Sequence, residues 1–392
     1  MPAPCNVALI GQKFMGRVHS NAYLKAPRFF DLPRIPVMHT VAGRNEKELA
    51  QFAARWGWQH YTTNLKEIAR NEEIDLVDIG TPNNMHYEQA IMMLEAGKSV
   101  ACEKPLALNL KQAAEMVKVA KKAKKARTFV WYNYRRCPAV ALAHQLVAGG
   151  KLGQVYHVRA VYLQGWASAD IPLIWRFDKK VSGSGAHGDL NAHIIDMARF
   201  ITGEEIAEIS GAASATFVKE RTLPTAGPAG MIAAGTRGGS RKKGKVEVDD
   251  ALVFCGRMSG GGLCTFEATR FAMGNQNNNC IEVNCERGSV RFSFEDMNIL
   301  WWFDARQDPK TAGWQRIMCT NAGAHPYASA WWPDAHVLGY EHAFINMVAD
   351  MMKALANQKP VVPLPDFADA YETQRVLEAA VIAAKNRCAV KL

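Results

Sequence analysis

The sequence predicts two domains: an α/β domain built on a doubly wound parallel sheet, then an α+β domain with a large, open, mostly antiparallel sheet. Three observations predict this. The first third of the 392 residues alternates short apolar runs with amphipathic segments of helical period. From about Arg127 the texture changes to strand-like runs, most of them separated by glycine-bearing turns. A chain of this length, 48% hydrophobic and 21% charged, also has enough apolar surface for two cores. The division is placed at 1–128 and 129–392.

In the first domain, Val7-Ala8-Leu9-Ile10 reads as a buried strand and Gly11 to Leu24 turns helical. Val37 to Ala42 is a second strand, and Glu46 to Trp56 is a helix. Ile74 to Ile79 is a strand, Tyr87 to Glu95 a helix closed by Gly97, and Ser99 to Cys102 another strand. This rhythm implies right-handed βαβ crossovers, whose ligands bind at the carboxyl ends of the strands. In the second domain a helix near Ala139 to Ala148 precedes strands at Val155 to Leu163, Ile206 to Phe217, Ala251 to Met258, Leu263 to Thr269, Ile281 to Cys285, Ser289 to Phe294 and Ile299 to Phe303. Helices are expected at Asp189 to Phe200, Tyr340 to Leu355 and Phe367 to Lys385. The stretch Pro224 to Lys245, with Arg237, Arg241, Lys242, Lys243 and Lys245, reads as a long exposed loop.

Composition excludes several classes of function. No apolar run is long enough to span a bilayer, and Met1 to Cys5 lacks a basic segment followed by an apolar one, so a cytoplasmic protein is expected. The nine cysteines are scattered without a Cys-x-x-Cys pair and read as reduced; Cys102, Cys255, Cys264, Cys280 and Cys285 are expected in the core, and no metal is expected. The formal charge of +10 has its sharpest local expression at Lys118, Lys121, Lys122, Lys124 and Lys125. Leu110, Ala113, Ala114, Val117 and Ala120 form the opposite face of the same helix, so these lysines read as its solvated side rather than as a nucleic-acid surface.

Four segments carry chemistry. Gly11-Gln12-Lys13-Phe14-Met15-Gly16 joins the first strand to the first helix, where backbone amides and the helix dipole meet a dinucleotide's phosphates. Lys13 stands where the general G-x-G-x-x-G pattern has its second glycine. Arg44, after the second strand, occupies the place of the acid that binds the ribose in many NAD enzymes; an arginine there suits a 2′-phosphate or an adenine face, so this residue does not settle NAD against NADP, and the expected cofactor is NAD with NADP not excluded. The turn Thr81-Pro82-Asn83, with His86 just beyond, lies at another strand's carboxyl end, as does Glu103-Lys104-Pro105. A lysine at that mouth can polarise a hydroxyl or carbonyl oxygen, and the proline fixes the chain direction that aims it. Asp189 and His193, four apart at the start of a helix, pair a carboxyl group with an imidazole that titrates near neutrality. An N-cap for Asp189 and a satisfied core histidine are the alternative readings of that pair.

Taken in this order, the Gly11 to Gly16 turn, Thr81-Pro82-Asn83 with His86, Glu103-Lys104-Pro105, and Asp189 with His193 resemble the glucose-fructose oxidoreductase, inositol dehydrogenase and MocA (Gfo/Idh/MocA) family of NAD(P)-dependent oxidoreductases over nearly the whole chain. Glu267 to Phe271, Glu295 to Asn298, His325-Pro326-Tyr327, Trp331-Trp332-Pro333, His336 and Gly339-Tyr340-Glu341 resemble its branch containing levoglucosan dehydrogenase and glucoside 3-dehydrogenases. The resemblance implies a Rossmann domain and assigns chemistry to Lys104, Asp189 and His193. It implies cofactor contacts from Gly11, Lys13, Phe14, Met15, Gly16, Arg44, Thr81, Pro82, Asn83, His86, Glu103, Lys104 and Asn133. Tyr134, Arg135, Trp166, Arg176, Trp332 and His336 then join Lys104, Asp189 and His193 in shaping a sugar pocket, with aromatic faces against sugar C–H patches. The expected activity is hydride exchange between a secondary hydroxyl of a sugar or glycoside and nicotinamide. A glycoside-cleaving enzyme using NAD transiently and a non-catalytic sugar- or dinucleotide-binding regulator are the rivals. A homo-oligomer, dimer or tetramer, is expected through the open sheet.

Overall fold

The computed structural model describes residues 2–224 and 241–392. It divides into two compact units. The first comprises residues 2–136 and Gly339–Tyr371, and the second comprises the described residues of 137–338 with Glu372–Leu392.

In the first unit, strands β1 (Ala3–Ile10), β2 (Arg34–Ala42), β3 (His60–Thr62), β4 (Leu76–Ile79), β5 (Ser99–Cys102) and β6 (Thr128–Val130) form one parallel sheet in the order β3-β2-β1-β4-β5-β6. Helices α1 (Phe14–Phe29), α2 (Glu46–Trp56), α3 (Leu65–Arg70), α4 (Asn83–Glu95) and α5 (Leu110–Lys122) separate the strands. Every residue of β4 and β5 is buried, as a parallel sheet covered on both faces requires. Local chemistry sets the helix ends. The Asn45 side chain accepts the Glu48 amide at the start of α2, and left-handed Gly57 ends that helix. Asn109 caps α5 in the same way through the Gln112 amide. Lys118, Lys121 and Lys122 lie on the exposed side of α5, the last two in its last turn, as expected, whereas Lys124 and Lys125 fall in the turn beyond the helix. Strands β3 and β6, three residues each, are too short to carry a periodic signal and go beyond the sequence reading.

In the second unit, β7 (Val155–Leu163), β8 (Ile206–Ala215), β11 (Ala251–Met258), β12 (Leu263–Thr269), β13 (Asn278–Cys285), β14 (Gly288–Ser293), β15 (Ile299–Asp304), β16 (Gln315–Met318) and β17 (Val390–Lys391) form a nine-stranded sheet. Its order is β16-β15-β14-β13-β7-β12-β11-β8-β17, antiparallel throughout except where β12 runs parallel to β7. Strands β9 (Glu220–Thr222) and β10 (Lys243–Lys245) pair as a separate antiparallel ribbon. The loop expected between Pro224 and Lys245 otherwise lies largely outside the described residues, Arg237 included.

Helix α6 (Pro138–Val147) packs on β14 and β15, a one-turn α7 (Lys179–Ser182) follows, and α8 (Ala192–Thr202) packs on β7 and β13. Every residue of α8 is buried. Helices α9 (Tyr340–Leu355) and α10 (Phe367–Asn386) follow, ahead of β17. Strands β11 and β12 alternate strictly: Leu252, Phe254, Cys264 and Phe266 point inward, whereas Val253, Cys255, Leu263, Thr265 and Glu267 face out. This corrects the reading of Cys255 as a core residue, because register places it on the uncovered face.

Candidate active site

The carboxyl ends of three neighbouring strands are laced together in the first unit. The Gly11 amide bonds the Ala42 carbonyl and the Gly80 amide bonds the Ile10 carbonyl, each at 2.9 Å, so the turn after β4 lies against the turn after β1. Gly11 has φ +113°, and a Cβ there would fall 2.6 Å from the Gly80 oxygen. A Cβ on Gly16 would fall 2.2 Å from the Gly11 oxygen. These two glycines therefore let α1 start close against the turn, leaving its first amides directed outward. No side chain caps α1, and its first turn carries no acid. That is the donor set a pyrophosphate needs. Lys13 occupies the N-cap with φ −88°, a conformation needing no glycine, and its exposed ammonium pairs with Glu48 at 2.5 Å. Phe14 and Met15 follow it half-buried, and Arg44 is exposed just beyond β2.

Pro82 is the N-cap of α4, Asn83 opens that helix, and the Thr81 hydroxyl donates to Gln89 at 2.8 Å. His86 is fully buried. Its Nδ1 lies 3.0 Å from the Pro105 carbonyl and its Nε2 lies 2.9 Å from the Thr81 carbonyl. Burial lowers its pKa, so the neutral ring braces the Thr81 and Pro105 turns and donates to one carbonyl at a time.

Lys104 follows β5, half-buried, and the Lys104–Pro105 peptide is cis. The Glu103 amide bonds the Ile79 carbonyl at 2.9 Å, and the Glu103 Oε2 accepts the Lys104 amide at 3.0 Å. The other Glu103 oxygen lies 3.1 Å from Nε2 of His19, and His19 Nδ1 lies 3.0 Å from Asp78 Oδ2. Both His19 and Asp78 have no solvent exposure. The Trp131 indole donates to the other Asp78 oxygen at 2.8 Å and stacks on the His19 ring at a centroid distance of 4.1 Å. Burial opposes the imidazolium, but Asp78 and Glu103 more than offset it and push the His19 pKa up to about 9. The sequence reading places His19 and Asp78 in a helix and a strand but not among the site residues.

Asn133, Tyr134 and Arg135 lie buried in a single 3₁₀ turn of the same unit. The Arg135 guanidinium reaches Asp369 at 2.5 Å, and the Asn133 amide nitrogen has no hydrogen-bond partner among the described residues although Asn133 is only 2% exposed. A buried orphan donor of this kind fits a bound polar ligand.

The second unit holds the other group of predicted residues. Asp189 and His193 do not share the expected α-helix. Asp189 belongs to a π turn, His187–Asn191, from which α8 continues with His193. Asp249 shapes this entry by accepting the Gly185 amide at 2.8 Å and the His187 amide at 2.6 Å. Buried His187 accepts Asn191 on one ring nitrogen and faces the Leu377 carbonyl with the other, an arrangement suited to the neutral ring that burial favours. The Asp189 carboxyl meets Arg270 at 2.7 Å and Arg176 at 3.7 Å.

Arg270, only 2% exposed, lies 5.3 Å over the Trp166 ring, and Arg176 lies 4.3 Å over Trp175. Burial lowers the Arg176 pKa and Asp189 acts against it. His193 is buried with its ring 5.9 Å from Tyr162. Trp332 and His336 lie on an exposed segment, where the His336 ring nitrogen is 2.9 Å from the Pro333 carbonyl. Arg270 was also missed as a site residue; its sequence signal is a cation closing an alternating strand.

Comparison with known proteins bears on both units. Residues 5–132 match the model of an oxidoreductase family with an NAD-binding Rossmann fold, and residues 140–291 match the GFO/IDH/MocA C-terminal domain. Levoglucosan dehydrogenase of Pseudarthrobacter phenanthrenivorans is 39% identical over 96% of this chain and 95% of its own. A solved levoglucosan dehydrogenase in complex with NADH and levoglucosan superposes with a TM-score of 0.91 at 35% identity, covering 99% of both chains. D-Glucoside 3-dehydrogenase of Escherichia coli is 28% identical over 51% of this chain and 55% of its own.

Proposed function

This chain belongs to the GFO/IDH/MocA family of NAD-binding sugar oxidoreductases, and from that premise we propose that it oxidises a secondary hydroxyl of an anhydrosugar or glucoside, at C3, with NAD as hydride acceptor. One observation carries the proposal. Lys104 sits at the carboxyl end of β5, beside the β1 and β4 turns that suit a dinucleotide, with its backbone held by Glu103. A cation there favours the alkoxide that develops as the carbinol C–H bond breaks. His193 takes the hydroxyl proton as the general base. Asp189, anchored by Arg270 and Arg176, binds a hydroxyl neighbouring the reacting carbon.

The remaining contacts follow from chemistry. Gly11, Lys13, Phe14, Met15 and Gly16 would hold the pyrophosphate of NAD. Arg44 would meet the adenosine side, and Thr81, Pro82, Asn83, His86, Glu103 and Asn133 would complete the cofactor site. NAD supplies the hydride acceptor; every other role belongs to the chain. Tyr134, Arg135, Trp166, Arg176, Trp332 and His336 give the sugar its stacking faces and hydroxyl partners. The names of the relatives support anhydrosugar and C3 chemistry. A second copy of the chain covers the outward face of the nine-stranded sheet, where Val253 and Leu263 are 41% and 52% exposed, giving a dimer or tetramer.

The test is a screen of the purified protein with NAD against anhydrosugars, glucosides and inositols, following nicotinamide absorbance. Stoichiometric NADH with an anhydrosugar or glucoside is expected. Release of free sugar without NADH accumulation would overturn the proposal in favour of transient-oxidation cleavage.

A further inference from the structure

We propose that His19 is a positioning residue for Lys104: its buried ring, gripped by Asp78 on one side and Glu103 on the other, fixes the strand end that presents the lysine. The inference rests on the reading of Lys104 as the partner of the reacting oxygen.

The geometry joins three elements through one ring. His19 lies on α1, whose first turn is the phosphate-binding turn. Asp78 lies in β4 and Glu103 directly after β5. The contacts are 3.0 Å from Asp78 to Nδ1 and 3.1 Å from Glu103 to Nε2, one carboxyl group on each ring nitrogen. The Nε2 contact is a hydrogen bond and the Nδ1 contact an ion pair, and only the charged ring attracts both carboxyl groups. The second Glu103 oxygen accepts the Lys104 amide, so the orientation of Glu103 is passed to the backbone of the lysine. Trp131 and Phe344, with centroids 4.1 and 5.8 Å from His19, close the site against water.

Two unpaired buried carboxyl groups would be costly, and the imidazolium compensates both. The other titratable groups that feel these two carboxyl groups are Tyr23 on the helix of His19, Cys102 on β5 and His86 on α4. Burial raises the first two well above their ordinary values and lowers His86, so all three stay neutral through the range where His19 titrates near pH 9. Loss of the His19 proton leaves one N–H and no positive charge between two carboxyl groups, which loosens Glu103 and, with it, the aim of Lys104.

The test compares the holoenzyme with His19→Gln and Glu103→Gln. In His19→Gln, kcat is expected to fall at least ~30-fold while NADH affinity stays within about threefold, a split that a general loss of structure would not give. The wild-type alkaline limb of kcat near pH 9 is expected to vanish in His19→Gln. In Glu103→Gln it should move to lower pH, because one of the two groups that raise the His19 pKa is gone. The double variant should be no worse than the poorer single variant, since both remove the same link. A limb that persists near pH 9 in His19→Gln, or parallel losses of kcat and NADH affinity, would overturn the inference. If His19→Gln does not fold, the limb in Glu103→Gln decides: an unmoved limb overturns it. Near-native turnover of Lys104→Ala would instead sink the parent reading, whereas an inactive Lys104→Ala beside a wild-type-like His19→Gln would sink this inference alone.

Discussion

The surroundings of Lys104 and of Asp189 are built in opposite ways. Around Lys104 one buried imidazolium serves two carboxyl groups, and the framework is backbone: strand-end amides, two glycines admitted at close quarters and a His86 brace. Around Asp189 one partly exposed carboxyl group serves two guanidinium groups on Arg270 and Arg176, supplied by segments distant in sequence. The first arrangement suits a group that must stay fixed relative to a cofactor common to many reactions. The second suits recognition, because the guanidinium groups that hold Asp189 also lie over the indole rings of Trp166 and Trp175. The contrast teaches where variants should act: changes at the first region should lower turnover, and changes at the second should raise KM.

The largest effect is expected for Lys104→Ala, with kcat reduced by about a thousandfold, or roughly 4 kcal/mol of barrier, and NADH affinity within about threefold in a fluorescence titration. Gly16→Ala places a Cβ 2.2 Å from the Gly11 oxygen. It should cost about 2–3 kcal/mol of stability, read as a lowered Tm, and weaken NADH binding at least tenfold. Arg270→Met preserves much of the packing against Trp166 while removing the 2.7 Å partner of Asp189. A KM increase of about tenfold with kcat changed less than threefold would keep the two regions distinct, whereas an equal loss of kcat would merge them.

The smallest effect is on stability as a function of pH. His19 is raised from its ordinary value to about 9, so its contribution is fully present below pH 6.5 and is lost as pH rises through 9. At about 1.4 kcal/mol for each pH unit, that rise is worth roughly 3 kcal/mol. Thermal melts should decline over this window in the wild type and be flatter in His19→Gln. His86 and His187 act in the opposite sense: burial lowers their pKa values, so the stability they contribute above pH 6.5 is lost as pH falls through those lowered values.

Much of the first unit is legible in the sequence because its helices and longer strands carry unambiguous periods and its functional groups follow strands directly. Lys104 stands out as a cation at a strand mouth for that reason. His19 does not, because a histidine inward on an amphipathic helix reads as core and its Glu103 partner is 84 positions away. The available signal was Asp78, a charge within an apolar strand run that must find a partner once both faces of the sheet are covered. In the second unit the strands are legible but the outward position of Cys255 is not, because Val253 and Cys255 on the exposed face of β11 are as apolar as its buried face. Nor is the π turn at Asp189, since Asp249, some sixty residues later, holds its amides. The Asp189–Arg270 pair is hidden for the same reason: ion pairs between sequence-distant segments leave no local pattern.

The central claim, direct hydride transfer from a secondary sugar carbon to nicotinamide, is tested most directly by a glucoside or anhydrosugar deuterated at C3. After turnover with NAD, mass spectrometry of the cofactor should show one deuterium retained in NADH and a stoichiometric keto-sugar. Unlabelled cofactor, or label lost to water alongside free sugar, would contradict the account.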